Sequence, residues 1–277
     1  MKNKSALAQK LCASPHMVWS AIFIVVPLIM VLYYAFTDST GAFTFENITR
    51  LGDYTTTFLR SIWYGIVATI ICLLIAYPLA YIVARSKARV QSTMVMLVMI
   101  PMWMNFLLRT YSWMTLLEDN GVINSLLEKI GIGPFHMINT SGAVILGMVY
   151  NFLPYMILPI YTVMTKLDNN LVEAAQDLGA NKFRVIRDVI FPSTLSGVVS
   201  GITMVFVPSV STFYISQKLG GGSFALIGDV IEMQFQVSNN FNFGAALSLV
   251  LMVLILICMA VMNKFSDDEN SAGGMMI

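Results

Sequence analysis

Six stretches of about twenty mostly apolar residues dominate this chain, and a run of that length is what a helix needs to cross the hydrocarbon core of a bilayer. They extend from Met17 to Thr37, Ser61 to Ala84, Val90 to Leu117, Gly142 to Met164, Ser193 to Tyr214 and Phe243 to Met262. The first two carry no charge, and the third contains Arg109. Composition agrees with the bilayer as solvent. Of 277 residues 57% are hydrophobic and 11% charged, against about 25% charged in a soluble domain. In lipid every backbone polar group must be satisfied internally, so such runs fold as helices. The expectation is an all-α polytopic membrane protein with six transmembrane helices.

Lys2, Lys4 and Lys10 precede the first run, as they would in a signal peptide. The run exceeds a typical signal core and no small-residue cleavage site follows it. Cys12 lies before the run, the wrong order for a lipoprotein signal. A retained span is expected.

Lys and Arg stay on the cytoplasmic side of membrane proteins. With an inside N-terminus, the inner segments hold Lys2, Lys4, Lys10, Arg85, Lys87, Arg89, Lys166, Lys182, Arg184, Arg187 and Lys264. The outer segments hold Arg50, Arg60, Lys129 and Lys218. Both termini are therefore predicted to be cytoplasmic. The net charge of +1 conceals a polarity. The inner side is basic overall, whereas Asp38, Glu46, Asp53, Glu118, Asp119, Glu128, Asp229 and Glu232 make the outer side acidic.

Several function classes drop out. A nucleic-acid binder would show a basic stripe. Cys12, Cys72 and Cys258 form no CxxC pair, and two histidines, His16 and His136, are too few for a histidine-built metal site. No HExxH, no G-x-S-x-G and no paired intramembrane aspartates mark an intramembrane enzyme. No metal or cofactor site is expected, and the twenty methionines read as core or lipid-facing residues.

The largest inner loop, 165–192, is the most informative segment. Asn170 is a candidate N-cap, with Glu173 three residues on where a capping box wants an acid. Gly179 suits a left-handed C-cap. A second helix from Asn181 would place Phe183, Ile186 and Ile190 on one face. Pro192 then stops it or opens the fifth span. Two readings stay open: an amphipathic connector on the membrane surface, or a docking element, since Ala174, Ala175 and Gly179 let a partner's backbone approach closely.

Glu173-Ala174-Ala175, Gly179 and Val189-Ile190-Phe191-Pro192 have the spacing of the EAA motif, and the segment resembles that of type I (MetI-like) ABC importer permeases. Val189 and Phe191 stand where the motif has Ile and Leu. The resemblance implies that Glu173, Ala174, Ala175, Gly179 and Pro192 couple the permease to a cytoplasmic ATPase. The chain has no G-x-x-x-x-G-K-[ST] phosphate loop, so ATP and Mg would be bound by that separate subunit. The permease domain would cover residues 61–262 with the coupling loop at 165–192. Residues 1–60 would form an N-terminal segment with the first span and an outer loop, and 263–277 a cytoplasmic tail.

Ile100-Pro101-Met102-Trp103 through Arg109-Thr110-Tyr111-Ser112-Trp113, then Glu118-Asp119-Asn120-Gly121, are similar to the polyamine (spermidine/putrescine) permeases, PotB-type subunit. So are Phe206-x-Pro208, Leu219-Gly220-Gly221, Ile227-Gly228 and Phe243-Gly244-Ala245-Ala246. The implied partners are a second, PotC-like permease subunit, a PotA-like ATPase dimer and a PotD-like extracytoplasmic polyamine-binding protein. The place would be the bacterial plasma membrane. A permease for another small organic solute, or a secondary carrier, is the alternative.

From the residues themselves, carboxylates pair with ammonium groups and aromatic faces attract cations. Tyr111, Trp113, Glu118 and Asp119 are therefore substrate candidates, although interface anchoring explains aromatics equally. Asp229 and Glu232 form a second acidic pair, with a solvated outer face as the alternative. Pro154 and Pro159 can kink the fourth span beside Asn151 and Tyr155, and broken helices often mark transport sites. A buried Arg109 costs about 2.5–3.5 kcal/mol at a helix centre. A structural role is expected for it, paired with a carboxylate or backbone carbonyls. Gly197-x-x-x-Gly201 is a close-packing motif.

Overall fold

The structure, a computed structural model, describes residues 15–222 and 224–273. Among the described residues four helices are long and apolar enough to cross a membrane. They are α1 (Pro15–Ala35), α2 (Thr55–Ala84, the main part of a helical stretch Glu46–Ala84), α6 (Ser141–Met164) and the Phe241–Met262 part of α12 (Phe241–Gly273). Two further helix pairs, each sharply bent at a short break, are long and apolar enough only when taken together. One is α3 (Ala88–Trp103) followed by α4 (Phe106–Leu117) and α5 (Val122–Lys129), with a 90° turn after α3. The other is α8 (Lys182–Ser193) with α9 (Leu195–Ser211), turned by 69°. Short helices α7 (Asn169–Asp177), α10 (Tyr214–Leu219) and α11 (Ile227–Gln236) complete the order.

The third apolar run is therefore not one continuous helix. Met104 and Asn105 are extended (ψ 147° and 130°), and the Asn105 side chain accepts from Leu107 N at 2.8 Å. Pro101 weakens the last turn of α3, because it has no N–H to donate, and Asn105 starts a new helix as its N-cap. The segment 38–60 also differs from the expected loop, since it is helical from Glu46 onward. The fourth run stays helical through Pro154 and Pro159.

The chain falls into two compact units. In the first, residues 15–55 and 230–253, Ala35, Ala245 and Ala246 form a small tight core. Asn242 Nδ2 donates to Thr37 O (2.7 Å) and Asn47 Nδ2 to the same carbonyl (2.9 Å), fixing the turn after α1. Arg50 lies over the Phe243 ring at 4.9 Å. In the exposed turn itself, the Thr40 hydroxyl and the Ala42 N–H on Asp38 hold its carboxyl below the usual carboxylate range.

The second unit, 56–229 and 254–273, is built on the pairing of α6 with α9. Ala68, Cys72, Ala76 and Ala80 of α2 recur every four residues, and each is fully buried in the same core as Val144, Met148, Met156 and Ile160 of α6. Small side chains on one stripe let helices approach closely, which is how helices associate without a water-driven force between them. Gly197 and Gly201 serve the same purpose. A Cβ on Gly197 would lie 2.9 Å from Pro159 O and 3.2 Å from Ile160 Cα. The motif is thus occupied by packing within this chain.

Candidate functional site

The inner loop is a helix, a glycine turn and a second helix. Asp168, not Asn170, is the N-cap of α7, accepting from Asn170 N at 3.0 Å. Asp168, Asn169 and Asn170 are three consecutive cap-competent residues, and the first of them begins the helix. Glu173 is therefore not the acid of a capping box. Its side chain is exposed and makes no hydrogen bond or ion pair with another described residue.

The C-terminus of α7 closes as a Schellman motif. Ala180 N donates to Ala175 O (3.0 Å), Gly179 N to Gln176 O (2.8 Å), and Gly179 sits at φ +83°. Asn181 then caps α8 through Arg184 N (2.9 Å). Within α8 the stretch Ile186–Ile190 is a π-turn, whose five-residue spacing puts Val185 and Ile190 on one face. Those two are buried and Ile186 packs against the same core, while Phe183 is 70% exposed, so the expected Phe183–Ile186–Ile190 face keeps its two isoleucines and has Val185 in place of Phe183. Pro192 lies inside the last turn of α8, and the chain bends at Thr194 instead. Leu178, 89% exposed, stands beside Gly179 together with the exposed Glu173 and Ala174. Beyond it, Arg187 and Asp188 pair at 2.6 Å on the surface, which lowers the Asp188 carboxyl.

The candidate substrate residues do not form one site. Tyr111 is exposed on α4 and meets Tyr214 edge to face at 6.1 Å. Trp113, half-buried, packs on Tyr150 at 5.3 Å. Glu118 is exposed at the end of α4. Asp119 accepts from His136 Nδ1 at 2.9 Å. Asn151 is 2% exposed and donates to Gly147 O, with its Oδ1 unpartnered. Tyr155 points the other way, exposed along a groove with Met102, Pro159, Gly197, Ser200 and Met204. Asp229 accepts from Ser216 Oγ (2.9 Å) and from Leu226 N (2.7 Å), the third-position acid that a helix start uses to hold its own cap. Glu232 is half-buried on the same helix α11.

Arg109 is 7% exposed, as a charge inside an apolar run should be. Among the described residues the expected carboxylate or carbonyl does not pair with it. Nε and Nη1 have no partner, and the guanidinium lies over Phe106 at 5.9 Å. Two of the helices packed on α4, namely α6 and α10, contain no Asp or Glu.

Three contributors were not read from the sequence. Tyr214 and Lys218 join Tyr111 through space, with Lys218 Nζ 5.5 Å from the Tyr111 centroid and 5.8 Å from that of Tyr214. Nothing in the local pattern announces this, because α4 and α10 are a hundred residues apart. Asn124 is the third. It is 1% exposed, donates to Phe135 O (2.8 Å) and Asp119 O (3.1 Å) and accepts from Phe135 N (3.0 Å). Asn124→Ala is expected to cost about 1–3 kcal/mol locally, since buried groups lose their partner. Faster hydrogen exchange confined to 118–137 would register it.

The fold is that of a polytopic α-helical membrane protein with an exposed helix–glycine turn–helix loop. Residues 76–268 match the model of the family described as binding-protein-dependent transport system inner membrane component, and the chain belongs to that family. It is a multi-pass protein of the bacterial plasma membrane and a component of a transporter. The chain is 37% identical over 253 residues to the spermidine/putrescine transport system permease protein PotB of Haemophilus influenzae, covering 87% of this chain and 88% of that one. To the protein of the same description from Escherichia coli it is 36% identical, covering 83% and 88%. Its fold is similar to a chain of a bacterial ABC transporter involved in import of the acidic polysaccharide alginate, with TM-score 0.76, 17% identity and 96% of each chain covered.

Proposed function

We propose that this chain is the permease subunit of an ATP-driven polyamine importer, carrying spermidine or putrescine inward by alternating access. The observation that carries the reading is identity of 35–37% to spermidine/putrescine permeases across most of the chain. Six spans with both termini in the cytoplasm follow if each bent pair crosses once, and the basic inner segments support that orientation. A second, PotC-like permease would pack beside it. A PotA-like ATPase dimer, binding ATP and Mg, would take Glu173, Ala174, Ala175, Gly179 and Pro192 of the loop into a groove. A PotD-like binding protein would deliver the polyamine from outside.

On the outer side the exposed Tyr111, Glu118 and Asp119 are the groups best suited to receive ammonium charge. Trp113 would support the Tyr111 helix by packing. Asn151, Tyr155 and Glu232 would act further along the pathway, and Asp229 through the start of α11 that it holds. Arg109 keeps a structural place on the pathway wall. Uptake competition among labelled polyamines, in a strain lacking other carriers, tests the substrate. Spermidine or putrescine should suppress uptake of the label far better than monoamines or anionic sugars, and equal competition by all of them would refute the substrate class.

A further inference from the structure

The feature that the transport reading does not use is Lys218. It ends α10, which packs along α4, and its ammonium lies between two tyrosine rings. The distances, 5.5 and 5.8 Å to the ring centroids, are those at which a cation is held by the negative face of an aromatic ring. Lys218 takes part in no ion pair with a described residue, so its charge lies beside the two aromatic rings and not on a carboxylate. The patch continues through Phe106, 6.0 Å from Tyr214, which itself lies under Arg109. The faces of these rings, of which only Tyr111 is exposed, are thus already approached by the chain's own cations.

The chemistry of the occupant matters. A lysine side chain is four methylenes ending in a primary ammonium, the same unit as one end of a diaminobutane. A ring pair that accepts Lys218 will accept the end of a polyamine in the same place and for the same reason. We propose that Tyr111 and Tyr214 form an ammonium-binding subsite in which Lys218 is a tethered competitor, displaced by the terminal ammonium of the incoming substrate. This rests on the polyamine reading above.

The consequence is a threshold on affinity. A tethered group competes at a high effective concentration, typically millimolar, without any change in bulk composition. A substrate with a single ammonium can only exchange one cation for another on the rings. A polyamine brings further charges that contact other groups, so it displaces the lysine where a monoamine does not. Lys218 therefore sets specificity for multiple charge as well as covering the rings when no substrate is present.

The test is KM for labelled putrescine in the reconstituted importer with all its subunits, for the wild type, Lys218→Met, Lys218→Arg and Tyr111→Leu, and for Tyr111→Leu combined with Lys218→Met. Lys218→Met should lower KM about threefold to tenfold, the range expected from freeing a cation–π site, and should make n-butylamine a better inhibitor. Lys218→Arg, which keeps the cation, should leave KM near the wild-type value. In the Tyr111→Leu background the methionine change should have little effect. If Lys218→Met fails to accumulate, Lys218→Gln provides the same comparison with a polar neutral side chain. An unchanged or raised KM in the neutral variants would overturn the proposal. An equal drop with and without Tyr111 would also overturn it, because relief of long-range repulsion would then explain the effect. If the wild type itself carries no polyamine, the transport reading fails. If it does and KM is unmoved, only the role of Lys218 fails.

Discussion

Replacing Gly179 by valine is expected to reduce ATP-coupled uptake at least tenfold while the protein still accumulates in the membrane. Gly179 sits at φ +83°, where a side chain costs about 1–2 kcal/mol and a β-branched one more. A Cβ there would meet nothing within 4 Å in the chain. The fold therefore tolerates the added atoms, and the damage falls on the turn between α7 and α8 and on whatever packs against it. Gly179→Asn separates the two components, because asparagine enters the left-handed region at lower cost. It should retain more uptake than valine if the turn dominates, and as little if close approach by the ATPase dominates. Glu173→Trp should mimic the loss by bulk alone, since the glutamate is exposed and unbonded among the described residues. Uptake assays paired with membrane immunoblots would check these outcomes, and normal transport by Gly179→Val and Glu173→Trp would remove the coupling role.

The second large effect concerns folding. Gly197→Val should destabilise the protein by about 3 kcal/mol or more and deplete it from the membrane, because overpacking costs 1–3 kcal/mol even where side chains can yield. Here the obstacles are Pro159 O at 2.9 Å and Ile160 Cα at 3.2 Å, both backbone atoms of α6 that cannot rotate away. Ser200, three residues on and exposed along the groove, provides the control. Ser200→Leu should accumulate normally. Thermal unfolding of the detergent-solubilised importer would register both results. Equal stability of Gly197→Val and the wild type would mean that α6 and α9 do not approach as closely as described.

Much of this architecture was legible because hydropathy acts over windows as long as a span. The apolar runs and the Gly179 turn belong to that class, the latter because a left-handed position leaves its mark in a single residue. The break at Met104–Asn105 was not seen, since an N-cap asparagine changes mean hydropathy very little while it redirects the chain by 90°. The π-turn in α8 was equally invisible. It needs one extra residue in a turn, and it moves burial from Phe183 to Val185 without altering composition.

The candidate substrate residues show a second limit. Carboxylates can be counted in a sequence, but their partners cannot. Asp229 is engaged by Ser216 and by its own helix start, and Asp119 by His136, contacts set by tertiary packing. Arg109 shows the converse. Its burial follows from lying in an apolar run, yet among the described residues its Nε and Nη1 find no acceptor, and neither α6 nor α10 brings an acid to it. Tyr111 was singled out for its face, and the structure adds that Lys218 already uses that face.

On the proposed mechanism this chain moves polyamines only when coupled to an ATPase. Proteoliposomes containing the complete importer, its binding protein and labelled spermidine or putrescine, with and without ATP on the ATPase side, test it most directly. The expected result is accumulation that requires ATP and the binding protein and vanishes with Gly179→Val. Accumulation without ATP, driven by an ion gradient alone, would contradict the claim and identify a secondary carrier instead.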